Sequence, residues 1–160
     1  MISKELAEFI QSGISILIGT RDARRFPDSA RVVGARVEAG DEEITLFLPT
    51  ATTATSVANL RESRRIAVCF GRAEDHRSVQ VKGRVLEIRE ASDVDREWVD
   101  RYCGEFAGML RFVGLPPRLI SRMNHWPCHA VRFRVEAVFD QTPGPGAGAR
   151  LAVSGSGRTS

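Results

Sequence analysis

Two kinds of hydrophobic spacing alternate along the chain and predict a mixture of strands and helices. Runs in which every second residue is apolar, or in which β-branched residues follow one another, indicate strands. The six predicted strands lie in 13–22, in the two halves of 27–49, in 64–72, in 76–90 and in 128–142. Gly40-Asp41 predicts the turn inside 27–49, and Gly83 predicts a bend or bulge inside 76–90.

Apolar residues spaced three or four apart predict the helices. Ser3 and Ser92 precede two such segments and are suitable N-caps, because a hydroxyl can accept hydrogen bonds from the first free amides of a helix. The predicted helices cover 3–11, 53–63, 92–106 and a short stretch after the double proline in 114–127.

The order of these elements favours an antiparallel architecture. Strands and helices do not alternate strictly, which argues against a doubly wound parallel sheet. We therefore expect a mainly β fold with flanking helices, in which six antiparallel strands form a barrel. We expect one domain over residues 1–146, followed by a flexible Gly/Ser-rich tail at 147–160, because that tail has little apolar surface to bury.

Composition narrows the class of protein. The chain has 160 residues, 42% of them hydrophobic and 27% charged, as in globular domains. No apolar run approaches the roughly 20 residues of a membrane helix, and the first ten residues lack a secretory pattern, so we expect a cytoplasmic protein without membrane contact. Three widely spaced cysteines argue against disulfides and zinc, and we expect buried thiols and no metal site.

The positive charge is spread along the sequence. The net charge is +3, and the only lysines are Lys4 and Lys82, so nearly all cations are arginines. Nucleic-acid binding usually requires a concentrated basic face, and this spread argues against that function. Arginine also suits phosphate recognition, because its guanidinium presents a fork of donors.

A hydroxyl-rich loop precedes the second predicted helix. Its hydroxyl residues are Thr50, Thr52, Thr53, Thr55 and Ser56. Thr52 or Thr53 would cap the helix in a purely structural interpretation. A helix start is also a binding site for anions, because its free amides and its dipole favour negative charge. The two interpretations are compatible, and the sequence leaves both open.

Three segments in this order resemble a known family. They are "RVVGAR" at 31–36, "LFLPTATTATSVANL" at 46–60 with the strand after it, and "VQVKGRV" at 79–85. Together they resemble the pyridoxamine-5′-phosphate-oxidase-like family of FMN-binding split barrels, over about residues 5–146. The resemblance implies a six-stranded split β-barrel that forms a homodimer, with FMN in a groove between the subunits.

The resemblance also implies site residues. Arg31 would contact the FMN phosphate, Val32 and Val33 would lie along the isoalloxazine, Thr50 would lie near the ring or ribityl chain, and Gln80 would hydrogen-bond the ring edge. Family members commonly carry basic residues at the helix start, where this chain has Thr55 and Ser56. Hydroxyls, including that of Thr53, would then replace those charges, with Arg36, Arg61 or Arg64 as substitute cations.

The function implied is that of an FMN-dependent oxidoreductase with a small-molecule substrate of unknown identity. No catalytic residue can be assigned, because the flavin carries the chemistry. Pyridoxamine phosphate is a doubtful substrate, since the C-terminal Arg-x-His element of the true oxidase has no match. The alternative is a non-catalytic flavin- or haem-binding sensor, or a barrel that has lost its cofactor. For haem, the candidate ligands are His76, His125 and His129.

Overall fold

Strands dominate the computed structural model, which describes residues 2–116, 118–123 and 125–151. The helices of this described part are α1 (Lys4–Gln11), α2 (Ala54–Ser63), α3 (Asp93–Phe112) and α4 (Arg118–Ser121). Its strands are β1 (Ser15–Arg21), β2 (Pro27–Arg31), β3 (Ala35–Val37), β4 (Glu43–Pro49), β5 (Arg65–Gly71), β6 (Ser78–Glu90), β7 (Cys128–Asp140) and β8 (Arg150–Leu151).

All strand pairs are antiparallel, and the sheet runs in the order β2-β1-β5-β6-β7-β4-β3, with β8 added beside β7. The two end strands, β2 and β3, are separated in sequence only by residues 32–34. Within this link the amide of Val32 donates to Ile16 O of β1, and that of Val33 donates to Phe47 O of β4. One bent strand, β2 with β3, therefore bridges both ends of the open sheet. With β2 and β3 counted as one strand and the two-residue β8 as an addition, the sheet has six main strands, which confirms the predicted split barrel.

Alternation along β1, β5 and β6 determines which side chains fill the barrel. The largest fully buried side chains are Phe47, Phe70 and Phe133, with several isoleucines around them. Helix α1 closes one side through Leu6, Phe9 and Ile10. The opposite side chains of β1, β5 and β6 point outward and form a separate face of the sheet.

Local signals for helix starts and turns are confirmed. Ser3 accepts from the amide of Leu6, and Ser92 forms a capping box with Asp95. Gly40 and Asp41 both have positive φ, as the predicted tight turn requires. The end of α3 was predicted at residue 106 and lies at Phe112, because Leu110 extends the buried stripe by one more turn.

Gly83 lies where the pairing of β6 with β7 shifts register, as predicted. A Cβ at this position would lie 2.3 Å from the carbonyl oxygen of Arg134. The glycine therefore permits a close approach of the β7 backbone.

The C-terminal segment is hydrogen-bonded as far as it is described. The amide of Gly148 donates to Asp140 O over 2.7 Å, and that of Asp140 donates to Ala149 O over 2.9 Å. The rest of the expected tail, 152–160, lies outside the described residues. None of the described helices is long and apolar enough to span a bilayer.

Candidate functional site

The outward face of the sheet brings Arg31 and Gln80 into one row. Strand register places Arg31 beside Leu17, Leu17 beside Cys69, and Cys69 beside Gln80. The row therefore crosses β2, β1, β5 and β6, three spacings of about 4.8 Å, or about 14 Å in all. Its central part opens into a depression of about 410 Å³ whose lining includes Leu17, Cys69 and Gln80.

Arg31 is exposed and has no carboxylate partner within the described part of the chain. Its guanidinium carbon lies 5.4 Å from the centre of the Phe106 ring. The ring holds the side chain by a cation–π contact without neutralising the charge. Arg31 is therefore available to an anionic ligand.

Arg36 has a different environment. It pairs with Glu38 at 3.1 Å and with Asp95 at 2.9 Å, and it lies between the rings of Phe47 and Trp98. Its charge is already balanced by these two carboxylates. The structure therefore places Arg36 in an internal network, away from the row that contains Arg31.

Asp95 is the centre of that network. It is buried and accepts hydrogen bonds from Arg36, Arg89 and Ser92. Burial raises the pKa of its carboxyl, but the bonds from Arg89, Ser92 and Arg36 outweigh burial and hold the pKa well below its usual range. This ion cluster joins the start of α3 to β3 and β6.

Val32 and Val33 are fully buried, with at most 2% of their surface exposed. Their side chains belong to the core, and their amides are bonded to Ile16 and Phe47. A ligand on the outward face could contact only the backbone of this bent segment.

Helix α2 is anchored to β1 by the buried hydrogen bond from Asn59 Nδ2 to Thr20 Oγ1, at 3.1 Å. Val57 and Leu60 are buried beside it. This packing places the first turn of α2 next to β2, the strand that carries Arg31.

The hydroxyls of the loop before α2 are mostly occupied. Thr53 stands at the N-cap position, but its hydroxyl donates back to Pro49 O over 2.7 Å, and Thr50 donates to Pro127 O over 3.2 Å. The expectation that the hydroxyl of Thr52 or Thr53 caps the helix is therefore wrong, because the N-terminus of α2 has no side-chain capping hydrogen bond. Thr55 is exposed, whereas Ser56 is buried.

Ser56 donates its hydroxyl hydrogen to Asp28 Oδ2 over 2.5 Å. A carboxylate of β2 therefore lies at the start of α2, where the helix dipole favours negative charge. This carboxylate acts against a second anion in the same place.

The histidines are not gathered into one site. His76 lies in the turn between β5 and β6, His125 contacts Met123 O through Nδ1, and His129 lies on β7. Within the described residues there is no group of three or more His, Cys, Asp or Glu side chains able to hold a metal ion.

The family can be assigned from the sequence pattern together with this fold. Residues 2–141 match the model of the family described as pyridoxamine 5′-phosphate oxidase. The chain belongs to this family. No curated protein matches the chain.

Several solved structures share the fold of this pyridoxamine 5′-phosphate oxidase family member. HupZ from Group A Streptococcus is 19% identical, with a TM-score of 0.58, and the match covers 92% of this chain and 100% of that one. An F420 reductase is 13% identical, with a TM-score of 0.57 and coverages of 82% and 93%. An FMN-binding protein from Syntrophomonas wolfei is 16% identical, with a TM-score of 0.52 and coverages of 86% and 86%.

The sequence interpretation missed Asp28 as part of this family member's candidate site. Its contact with Ser56 joins residues 28 positions apart, and no local pattern signals it. It also expected buried thiols, whereas Cys69 is exposed on the outward face, with Cys103 half-buried and Cys128 buried. The alternation of buried and exposed residues along β5 could have predicted the exposure of Cys69, because Cys69 lies two residues after Ala67 and therefore on the same outward side of the strand.

Proposed function

We propose that this chain is an FMN-binding flavoprotein that acts as a flavin-dependent oxidoreductase on a small molecule. The observation that carries the proposal is the outward row, in which Arg31, without a carboxylate partner among the described residues, and Gln80 share one face of a split barrel of this family. Arginine suits the phosphate, and an amide suits the polar edge of the ring. The bound flavin would supply hydride transfer.

The cofactor site is proposed to lie between two copies of the chain. Leu17, in the centre of the row, is 41% exposed, which is consistent with a face that a partner covers. In a symmetric dimer, Arg31 of one subunit and Gln80 of the other can flank a single ligand. The proposed location of the protein is the cytoplasm.

The residues present fit the flavin ring better than the phosphate. Gln80 is half-buried beside a depression and can orient a planar ring. At the phosphate end, Arg31 and the amides at the start of α2 favour an anion, and Asp28 opposes it. Arg36 is proposed to contribute only indirectly, by holding β3 through Asp95.

A second candidate function follows from Asp28. A carboxylate at the start of α2 weakens phosphate binding, as expected of a non-catalytic flavin carrier or sensor or of a barrel that has lost its cofactor. This alternative predicts a folded protein that takes up little or no FMN. Haem binding belongs to the same class and would give a Soret absorption band.

The deciding experiment is a visible spectrum of the purified protein, followed by titration with FMN and with haem. Flavin absorption, or saturable uptake of FMN by a dimer, supports the proposal. A colourless protein that binds no added FMN overturns it, and a Soret band supports the haem alternative.

Arg31→Ala should weaken FMN binding about tenfold or more, by loss of a charge-assisted contact. Arg84→Ala, at another exposed arginine of the sheet, is the control.

A further inference from the structure

A second concave surface, here called the cationic groove, lies on the outward face beyond the row that contains Gln80. It encloses about 580 Å³, within the range of roughly 300–1,000 Å³ typical of small-molecule pockets. Its floor is a row in which the short residues Gly19, Ala67 and Ala137 accompany the longer Lys82, because register places Gly19 beside Ala67, Ala67 beside Lys82, and Lys82 beside Ala137. The short side chains leave room for a ligand above the sheet.

Positive charge surrounds this floor. One carboxylate, that of Glu136, lines the groove, and the cationic side chains that line it are Arg21, Arg25, Arg65, Lys82 and Arg150. Among the described residues, only Arg65 of this set has a carboxylate partner, with Nη1 2.9 Å from Glu136 Oε2. The other cations have no carboxylate partner in the described part of the chain. A concave surface on which one sign of charge predominates focuses the field and attracts the opposite charge.

Several arginines on other surfaces of the molecule have carboxylate partners. Arg132 and Arg134 both pair with Glu43, and Arg72 pairs with Asp75. Lys82, in contrast, has no carboxylate partner among the described residues, and its Nζ lies 5.1 Å from the centre of the Phe139 ring. Arginines without a carboxylate partner, such as Arg31, Arg84 and Arg111, also occur elsewhere in the described part of the chain, but the cationic groove gathers four such cations around one concave floor.

The cations also come from separate elements. Arg21 lies at the end of β1, Arg25 in the hairpin after it, Lys82 on β6 and Arg150 on β8. From β1 through β5, β6 and β7 to β8 there are four strand spacings, about 19 Å. One phosphate group cannot contact cations spread over this distance.

We propose that the cationic groove binds a small organic anion that carries two or more phosphate groups, with its apolar part on the floor of Gly19, Ala67 and Ala137. The guanidinium forks of Arg21, Arg25 and Arg150 suit phosphate oxygens, and Lys82 provides a point charge in the centre. A groove of this volume fits a nucleotide-sized molecule. The proposal does not require flavin, because neither Arg31, Gln80 nor a residue of α2 lines the groove.

The test is calorimetry of the full chain with ADP, pyrophosphate, AMP and adenosine at physiological salt. We expect ADP and pyrophosphate to bind, AMP to bind at least tenfold more weakly than ADP, and adenosine not to bind. Lys82→Ala and Arg21→Ala should each lower the affinity for ADP about tenfold, the effect of losing one charge-assisted contact. Arg111→Ala, an exposed arginine of α3 outside the groove, should leave it unchanged.

A steric variant tests the floor. A Cβ at Gly19 would meet no atom within 4 Å, so Gly19→Leu fills the groove without disturbing the sheet. It should lower the affinity for ADP while the melting temperature stays close to that of the unchanged chain. The proposal is overturned if neither ADP nor pyrophosphate binds, or if Lys82→Ala, Arg21→Ala and Gly19→Leu leave the ADP affinity unchanged.

Three further outcomes would also overturn it. An oligonucleotide that binds more tightly than ADP would make the groove a nucleic-acid surface. Loss of a dimer in the Gly19→Leu variant, measured by light scattering, would show that a second copy occupies the groove. If FMN and ADP compete with each other, and Arg31→Ala abolishes the binding of both, then ADP binds in the proposed flavin site. Failure of FMN to bind, in contrast, leaves the groove proposal intact.

Discussion

The hydroxyl of Ser56 donates to Asp28 Oδ2 over 2.5 Å and joins the first turn of α2 to β2. The two residues are 28 positions apart in sequence, and their contact places a carboxylate at the start of α2. Asp28 and Arg31 belong to the same strand, β2. The helix dipole stabilises this negative charge. A phosphate bound at the same helix start would lie close to the carboxylate of Asp28, and the repulsion between the two negative charges can be measured.

Asp28→Asn should raise the affinity for FMN about tenfold. The substitution removes one negative charge near the proposed phosphate position, and the amide oxygen can still accept the hydrogen bond from Ser56. A tenfold change corresponds to about 1.4 kcal/mol, a reasonable value for one partly screened charge contact. Quenching of flavin fluorescence during titration gives the dissociation constant.

Riboflavin is the control ligand for this substitution, because it has the same ring and no phosphate. Its affinity should be the same in Asp28→Asn and in the unchanged chain, and Asp93→Asn, at an exposed carboxylate of α3, should alter neither ligand. An equal gain for riboflavin and FMN would show that Asp28 acts on the ring or on the fold. An unchanged FMN affinity would place the phosphate away from α2.

Elements controlled by near neighbours were predictable from the sequence. The caps Ser3 and Ser92 act on amides three residues ahead, and the turn at Gly40-Asp41 depends on two adjacent residues. The barrel also followed from period-two spacing and from the order of the strands. These features need no knowledge of which distant segments meet.

The candidate site was less accessible to sequence reasoning, because its determining contacts are long-range. Arg36 was a plausible phosphate ligand in sequence, and its pairing with Asp95, 59 residues away, gives it a structural role. The cationic groove was invisible for the same reason, since arginines that seem scattered along the chain converge only through the pairing of five strands.

Asp95→Ala should destabilise the protein by about 2–3 kcal/mol. The substitution leaves Arg36 and Arg89 without their buried partner and removes the capping-box contact with Ser92. The cost is kept below that of a fully buried pair because both arginines are partly exposed. Urea unfolding followed by circular dichroism measures it. A variant as stable as the unchanged chain would contradict a central role for Asp95.

The same carboxyl predicts a pH dependence of stability. Its pKa in the folded state lies below the unfolded value of about 3.9, so its contribution is fully present above the unfolded value and is lost as the pH falls from there through the folded-state pKa. The free energy of unfolding should therefore decrease below about pH 5, and this decrease should be smaller in Asp95→Asn. Urea titrations at a series of pH values test the difference, and identical profiles for both proteins would contradict it.

Gly83→Ala should destabilise the protein by about 1–3 kcal/mol, the usual cost of overpacking. The added Cβ would lie 2.3 Å from Arg134 O and 2.5 Å from the ring of Phe133, so β6 and β7 would have to separate. Gly19→Ala is the matched control, because it also lies in a strand and its Cβ would meet no atom within 4 Å. Urea unfolding of both variants gives the comparison, and equal stabilities would exclude a steric role for Gly83.

Cys69 should react with a thiol reagent much faster than the other two cysteines. It is exposed on the outward face, whereas burial raises the pKa of the Cys103 thiol to about 11 and that of Cys128 to about 12. Only the thiolate is nucleophilic, so both of these groups are nearly unreactive at neutral pH. Reaction with Ellman's reagent at pH 7.5 should show one fast thiol and two slow ones, and Cys69→Ser should remove only the fast phase. If a flavin covers this face, addition of FMN should slow the fast phase. A fast phase that persists in Cys69→Ser would contradict the assignment.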